Sequence, residues 1–372
     1  MRIALHTPLK PLSSEVPSGD LAMARLMVRA LGDLGHKTVP ATSFVSWAAV
    51  PDDARDTALR AGASAEIARL LAPQAPHFDL WLTYHNYHKA PDLIGPAVAA
   101  GRRIPYAIVE ASRAAKRATG PWATRFTLAD GALAAADAVA AMHEGDREGL
   151  AAVVDAGRLH ALPPFIDAVP FAAVPRLDAD GGPVRLIAVG MMRPGDKVAS
   201  YRVLANALAR LEDRPWHLTI VGDGPARDEV RALFPPDRVR FAGAVPPVAL
   251  PALYGDADIK VWPAINEAYG LVLLEAQAAG LPVVAGDRDG VAAIVRPGET
   301  GLLAAEGDAA GFAAALATLI DDGSLRHRMG VAARRHVLAR HDLAAGRAGL
   351  TALLAGATTV HRERTARTEQ LP

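Results

Sequence analysis

Short apolar runs alternate with longer stretches in which apolar residues return every three to four positions, and this alternation continues along most of the 372 residues. Residues 2–6 (Arg-Ile-Ala-Leu-His) predict a buried strand, and residues 20–35 an amphipathic helix with Leu21, Ala24, Leu26, Val28 and Leu31 on its apolar face. A second strand is expected after Gly35, a helix over 52–72, strands over Asp79 to Thr83 and Ile104 to Glu110, and an Ala-rich helix leading to a strand from Ala138 to Met142. The pattern restarts at Val184 with a strand, a helix from Tyr201 to Leu211 and strands beginning at Trp216 and Val239. It then gives a strand from Ile259 to Trp262, a helix from about Leu271 to Ala279, a strand from Pro282 to Ala285, and helices over 309–356. Strands joined through helices are the mark of the α/β class with parallel sheets.

A chain this long exceeds what one core usually supports. A Pro- and Gly-rich interruption (Pro170, Pro175, Gly181, Gly182, Pro183) divides it. The expected organisation is a first domain over 1–168, a linker over 169–183, a second domain over 184–342, a helix over 343–357 and a frayed polar tail over 358–372.

Residues 258–286 carry the densest chemistry. Pro263 closes the strand, Gly270 opens the helix, Glu267 lies in the loop between them, and Glu275 follows eight residues later inside the helix. The first N–H groups of a helix, here those of Gly270, Leu271 and Val272, lack intrahelical partners and favour an anion. A phosphate flanked by two hydroxyl-binding acids matches the parts of a nucleotide sugar: ribose, diphosphate, hexose. Most Glu residues are merely solvated, but Glu275 has Leu271, Val272, Leu274, Ala276 and Ala278 around it and so needs a partner.

The run Asn266-Glu-Ala-Tyr-Gly-Leu-Val-Leu-Leu-Glu-Ala-Gln-Ala-Ala-Gly-Leu-Pro-Val-Val resembles the E-x7-E signature of retaining glycosyltransferases of family 4. That resemblance implies the GT-B fold, two Rossmann-like domains facing across a cleft, with the last helix crossing back to the first domain. It implies that Glu267 binds the donor hexose and Glu275 the ribose, with Tyr269, Gly270, Leu271 and Val272 beside the donor. Lys197 and Arg193, in the loop Gly190-Met-Met-Arg-Pro-Gly-Asp-Lys, match the family's cations on the diphosphate, Lys197 more closely because Met191 stands where the Arg usually follows the glycine. Gly19 matches a glycine near the donor phosphates, Gly222 the glycine turn beside the nucleotide, and Val245 the loop whose backbone meets the base. Gly222-x-Gly224 is not a dinucleotide fingerprint, since Arg227 occupies the third glycine's place. The resemblance is strong from Val184 to Asp308 and looser before it.

The first domain supplies the acceptor side in such enzymes. The loop before Gly19 is longer than the usual two to six or so residues, which favours a functional loop. Glu110 stands at a strand end where many family members carry a histidine, and His85 is the nearest histidine in sequence that compensates. The spacing His85-x-x-His88 invites a metal reading, but aromatic residues rather than acids surround it in sequence. Arg113, Lys116, Arg117 and Arg125 form a basic group short of a polybasic cluster of about four to eight adjacent cations, so a solvated helix face is favoured over contact with an anionic surface. Three Asp-x-Asp strings, Asp178/Asp180, Asp256/Asp258 and Asp287/Asp289, are weighed as cation sites, and no obligatory metal or other cofactor is expected.

Composition narrows the partners. Lys plus Arg equals Asp plus Glu at 40 each, so no net field argues for nucleic acid. With no cysteine, disulfides, thiolate metal sites and a cysteine nucleophile are excluded. No stretch reads as the ~20 apolar residues of a membrane helix, and a cytoplasmic enzyme is expected, with peripheral contact to a membrane's inner face left open. The expected partners are a UDP- or GDP-sugar donor and a sugar, glycolipid or small-molecule acceptor. Two other readings stay open: an epimerase or hydrolase acting on sugar nucleotides through Glu110 and His85, and a non-catalytic sugar-nucleotide-binding scaffold.

Overall fold

The computed structural model describes residues 1–16, 18–175 and 181–369. They form two compact units, one of Met1–Pro163 with Leu343–Pro372, the other of Pro164–Asp342. The first unit holds strands β1 (Arg2–His6), β2 (Lys37–Pro40), β3 (Leu80–Asn86), β4 (Tyr106–Ala111), β5 (Ala138–Ala141) and β6 (Leu159–Ala161). They pair parallel throughout in the order β2-β1-β3-β4-β5-β6. Helices cover the sheet, so β3, β4 and β5 are buried along their whole length, as the near-continuous apolar runs require. Trp81, Tyr106, Ile108, Leu133 and Val139 belong to the core there.

The second unit holds β7 (Val184–Val189), β8 (Trp216–Val221), β9 (Val239–Gly243), β10 (Ile259–Trp262), β11 (Val283–Asp287) and β12 (Gly301–Ala305). Its sheet is also parallel, in the order β12-β11-β10-β7-β8-β9. Counted within the unit this is the 3-2-1-4-5-6 order of a doubly wound dinucleotide-type fold, and the order reverses between β7 and β10. In the first unit the reversal falls between β1 and β3. Loops leaving the carboxyl ends of such paired strands diverge and leave a crevice, which is where ligands bind in open α/β sheets.

Several expectations move. β3 runs three residues past Thr83, because Tyr84 and Asn86 pair with Val109 and Ala111. The Asn86 amide is also satisfied, donating to Ala129 O at 3.0 Å and accepting from Asp92 N at 3.0 Å. The first unit ends at Pro163 rather than at 168, since Ile166 N donates to His341 O at 2.8 Å and Ala168 N to Asp342 Oδ1 at 3.0 Å, tying that segment to the second unit. Of the expected linker, residues 176–180 and hence the pair Asp178/Asp180 lie outside the described residues.

As far as Glu369 the polar tail is helical rather than frayed, for the last helix spans Leu343–Glu369. Arg364 donates to Ala135 O at 3.1 Å and pairs with Asp137 at 3.1 Å, and a His361 ring nitrogen lies 3.1 Å from Arg103 O, so the tail's polar groups fasten the helix to the first unit. By length and composition this helix could cross a membrane, which corrects the sequence expectation. Leu350, Leu353, Leu354 and Ala357 are instead buried as it packs on the helix Gly19–Asp33 and on β5.

Arg125 departs furthest from the expected solvated face. Its guanidinium is buried, ion-paired to Asp56, and donates to the carbonyls of His88 (3.0 Å), Lys89 (2.8 Å) and Ser46. Arg113 likewise pairs with Asp130 at 2.9 Å. Arg125→Met strands the Asp56 carboxylate and three carbonyls, and is expected to cost about 3–5 kcal/mol of stability, read from the urea midpoint at unchanged slope.

Candidate functional site

The loop from β7 and the loop from β10 meet at the point where the second sheet reverses. The β7 loop enters the helix Asp196–Leu208, which carries Lys197 in its first turn. The β10 loop carries Glu267 and enters the helix Leu271–Ala278 through Gly270, whose φ of 76° makes a left-handed cap. Lys197 Nζ donates to Glu267 Oε2, joining the two loops by an ion pair with side-chain exposures of 27% and 19%. Trp262 Nε1 donates to the same carboxylate oxygen at 3.2 Å, and the Lys197 ammonium lies 5.4 Å from the Trp262 ring centre. Lys197, Glu267 and the free N–H groups of the helix start thus share one edge of the sheet.

The loop Pro263–Gly270 is held from outside the motif. Ile265 N donates to Ser200 Oγ at 3.0 Å and Asn266 Nδ2 to Asp196 Oδ2 at 2.8 Å, both partners on the Asp196–Leu208 helix. Asn266 N donates to Glu306 at 2.6 Å, and Glu306, paired with Arg288 at 2.7 Å, is held below the usual carboxylate range, first by that backbone bond and then by the arginine. Ala264 and Asn266 have positive φ (56° and 49°). Among the described residues five non-glycine residues do so, and four of them are Ala264, Asn266, His85 and Glu110. Strained backbone therefore concentrates at the two candidate sites, as it does where a function keeps it.

Glu275 is half-buried by surface area. Its carboxyl accepts from Tyr254 OH at 3.2 Å, and burial, outweighing that bond and the nearby Lys260, pushes its pKa up to about 7. The expected partner exists, but it is a tyrosine from the helix Leu250–Gly255, outside the motif.

Arg193 is half-buried in the β7 loop, ahead of the helix that carries Lys197. Gly222 leaves β8 with φ 139°, and a Cβ there would lie 2.0 Å from Gly190 O, so the loops after β7 and β8 stack too closely for any side chain. Val245 is partly buried against the core of Ile187, Val221 and Tyr254. Tyr269 and Leu271 are buried and Val272 half-buried around the helix entrance. Asp258 bonds Arg185 N and Arg185 Nη2, each at 2.8 Å, which clamps β7 to β10 and accounts for that carboxylate of Asp256/Asp258. Asp287 is exposed at the end of β11. A separate cavity of ≈ 990 Å³ opens along the helix Gly323–Arg340, but its Arg326 and Arg334 already bond carbonyls of Leu319 and Ala279.

The first unit assembles a group of its own at its reversal point. His85 at the end of β3 and Glu110 at the end of β4 meet Asp20, in the first turn of the Gly19–Asp33 helix. His85 Nε2 lies 3.5 Å from Asp20 Oδ1 and 3.6 Å from Glu110 Oε2, ion-pair contacts rather than aligned hydrogen bonds. Burial alone would lower the imidazole pKa; Glu110 and then Asp20 outweigh it and hold it above the ordinary value. Asp20 is held below its usual range, His85 outweighing burial. The three ligand atoms lie within 4.8 Å of one another, so this is where a cation would fit among the described residues. His88 does not join them; it packs edge-on against Trp122 at 5.0 Å, and burial and nearby cations lower it to about 4. Gly19 is the first residue of its helix, capped by Ser18 Oγ, and a Cβ there would meet nothing within 4 Å.

Sequence reasoning missed Asp20, Trp262, Tyr254 and Lys260. Asp20 directly follows Gly19, and Lys260 is the one charge in the apolar strand 259–262, so both had a signal. The parts played by Trp262 and Tyr254 depend on contacts that no spacing shows.

Against known proteins, the decisive match falls on the second unit. Residues 183–322 match the family described as glycosyl transferases, group 1. The matched stretch contains Lys197, Arg193, Glu267 and Glu275. A D-inositol 3-phosphate glycosyltransferase of Corynebacterium efficiens is 40% identical over 181 residues, 46% of this chain and 42% of that protein. The chain thus matches less than half the length of that relative. Sucrose-phosphate synthase of Thermosynechococcus elongatus superposes with a TM-score of 0.73 at 21% identity, covering 98% of this chain and 99% of that one. HepE of Anabaena, solved in complex with UDP-glucose, superposes at 0.67 with 16% identity over 100% of both chains. The fold is GT-B in type, with two Rossmann-like parallel-sheet units.

Proposed function

We propose that the chain is a retaining glycosyltransferase that moves a hexose from a UDP- or GDP-sugar to an acceptor hydroxyl without a metal. The observation that carries this reading is the Lys197–Glu267 pair, set at the reversal point beside a free helix N-terminus inside a glycosyl transferases group 1 domain. In this reading the donor diphosphate lies against the N–H groups of Gly270, Leu271 and Val272, with Lys197 and Arg193 countering its charge as the bond to the sugar breaks. Glu267 holds hexose hydroxyls and Glu275 the ribose. The acceptor oxygen bonds the anomeric carbon on the face the diphosphate leaves, and its proton passes to a leaving phosphate oxygen. No side-chain nucleophile is required; the protein positions and neutralises. Within the first unit Asp20, His85 and Glu110 bring together two carboxylates and an imidazole, groups suited to sugar hydroxyls. A cytoplasmic setting, with a sugar, glycolipid or small-molecule acceptor, suits this chemistry.

Incubation with a panel of UDP- and GDP-sugars, following nucleotide release, tests the reading. Acceptor-dependent release with at least one donor is expected, together with Glu275→Ala binding that nucleotide more weakly; failure of every donor to bind rejects it. The acid–base group Asp20–His85–Glu110 favours a second reading, a sugar-nucleotide hydrolase or epimerase. Free sugar or an epimerised donor formed at full rate without acceptor would select it.

A further inference from the structure

His85, near the end of β3, has a side chain only 9% exposed, and its Nε2 has no hydrogen-bond partner among the described residues. The nitrogen is aimed between two carboxylates, 3.5 Å from Asp20 Oδ1 and 3.6 Å from Glu110 Oε2. Both separations exceed the ~2.7–3.2 Å of a hydrogen bond to oxygen. They match instead the spacing of ligands around a cation. Metal–ligand bonds of about 2.1 Å at the tetrahedral angle put neighbouring ligand atoms about 3.4 Å apart. The direction of the nitrogen is fixed by packing, since the rings of Tyr84 and Tyr87 lie against the imidazole at 4.3 Å and 6.4 Å between centres.

Charge points the same way. Two carboxylates beside a neutral imidazole leave two negative charges on a group that is largely out of water; a proton on His85 cancels one of them, a divalent cation both. Asp146 adds to the negative field at His85. The cation acting on Asp20 from outside the group is Lys10, which already donates to Ser18 Oγ at 3.1 Å and to Val16 O at 3.3 Å.

We propose that Asp20, His85 and Glu110 bind a divalent transition-metal cation of the zinc type, through His85 Nε2 and one oxygen of each carboxylate. The imidazole favours such a cation over magnesium or calcium, which prefer oxygen throughout. Three protein ligands leave a fourth position, the pattern of zinc sites that hold a water or a substrate oxygen. Asp20 stands on the open side, its side chain 39% exposed, so that position is reached from there. The ligand atoms all lie within 4.8 Å of one another, and a turn of the Asp20 side chain draws the widest edge in. The inference goes beyond the function proposed above and does not rest on it. The donor's charge is met by Lys197, Arg193 and a helix start in the second unit, whereas this site belongs wholly to the first.

The test is titration of Zn²⁺ into the whole chain after chelator treatment and dialysis, with Co²⁺ as spectroscopic probe in a parallel titration. One zinc per chain is expected to bind and to raise the melting temperature. Co²⁺ is expected to give the strong visible bands of four-coordination at the same stoichiometry. His85→Gln and Asp20→Asn should each weaken zinc binding by more than about tenfold, since losing even a ligand's supporting partner costs that much, and should remove the cobalt bands. His77→Gln, at an exposed histidine, should change neither. No zinc bound by wild type, equal binding by His85→Gln, or binding lost in His77→Gln overturns the proposal. Should the two site variants not fold, the weak bands of six-coordinate cobalt in wild type are sufficient to overturn it. UDP and GDP titrations of the zinc-free chain report on the transferase reading separately: nucleotide binding there leaves that reading standing whichever way the zinc result falls.

Discussion

Lys197→Met is expected to lower turnover by about 10²- to 10³-fold, the loss seen when one preorganised group facing developing charge is removed. The ammonium is held in place by Glu267 and lies against the Trp262 ring, so no reorganisation is needed when negative charge grows on the leaving diphosphate. Because the interaction strengthens only as that bond breaks, the loss should fall on kcat and spare KM. Glu267→Gln should lower activity as well, through lost sugar contacts and a freed Lys197. The double variant should cost much less than the product of the two, since each single change already breaks the same pair. A kcat within tenfold of wild type in Lys197→Met, measured by nucleotide release at saturating donor, removes Lys197 from the chemistry.

Gly290→Ala is expected to destabilise the chain by about 3 kcal/mol or more and to abolish nucleotide binding. A Cβ at Gly290 would lie 1.4 Å from Ala268 O and 3.3 Å from Tyr269 N. Those are backbone atoms of the loop that carries Glu267 and opens the Leu271–Ala278 helix, so they cannot turn aside as a side-chain tip would. The loop must shift, with its left-handed residues Ala264 and Asn266 and its bonds to Ser200, Asp196 and Glu306. Chemical denaturation and UDP titration on the same sample check both effects. A normal midpoint with normal affinity would show that the loop tolerates displacement and is not a rigid part of the site.

Where sequence and structure agree, the reason is local. Glu267 and Glu275 flank a helix entrance that Pro263 and Gly270 mark in the chain itself. Lys197 was legible because it falls in the first turn after a strand and loop. Where they differ, the cause is a contact between distant segments. The tail past 357 looks too polar to hold a helix, yet Arg364 and His361 bond groups more than two hundred residues away. Arg125 reads as one of a basic surface group, while Asp56 and the carbonyls of Ser46 and Lys89 make it a buried clamp. His85-x-x-His88 suggests a pair, but β3 runs on through His85 and turns it to Asp20 and Glu110, leaving His88 on Trp122.

By itself the sequence determined the α/β class, the repeated strand–helix units and the placing of Glu267, Glu275 and Lys197 at loop and helix starts, because periodicity and punctuation act over a few residues. Only the tertiary structure decided what each charge faces: that Lys197 grips Glu267, that Glu275 leans on Tyr254 with Lys260 nearby, and that Asp20 completes the group around His85 and Glu110. The physical reason is that the order of strands in each sheet, and not their order in the chain, chooses which loops meet. In the second unit β7 and β10 are neighbours, although 69 residues separate the strand before Lys197, ending at Val189, from the strand before Glu267, beginning at Ile259.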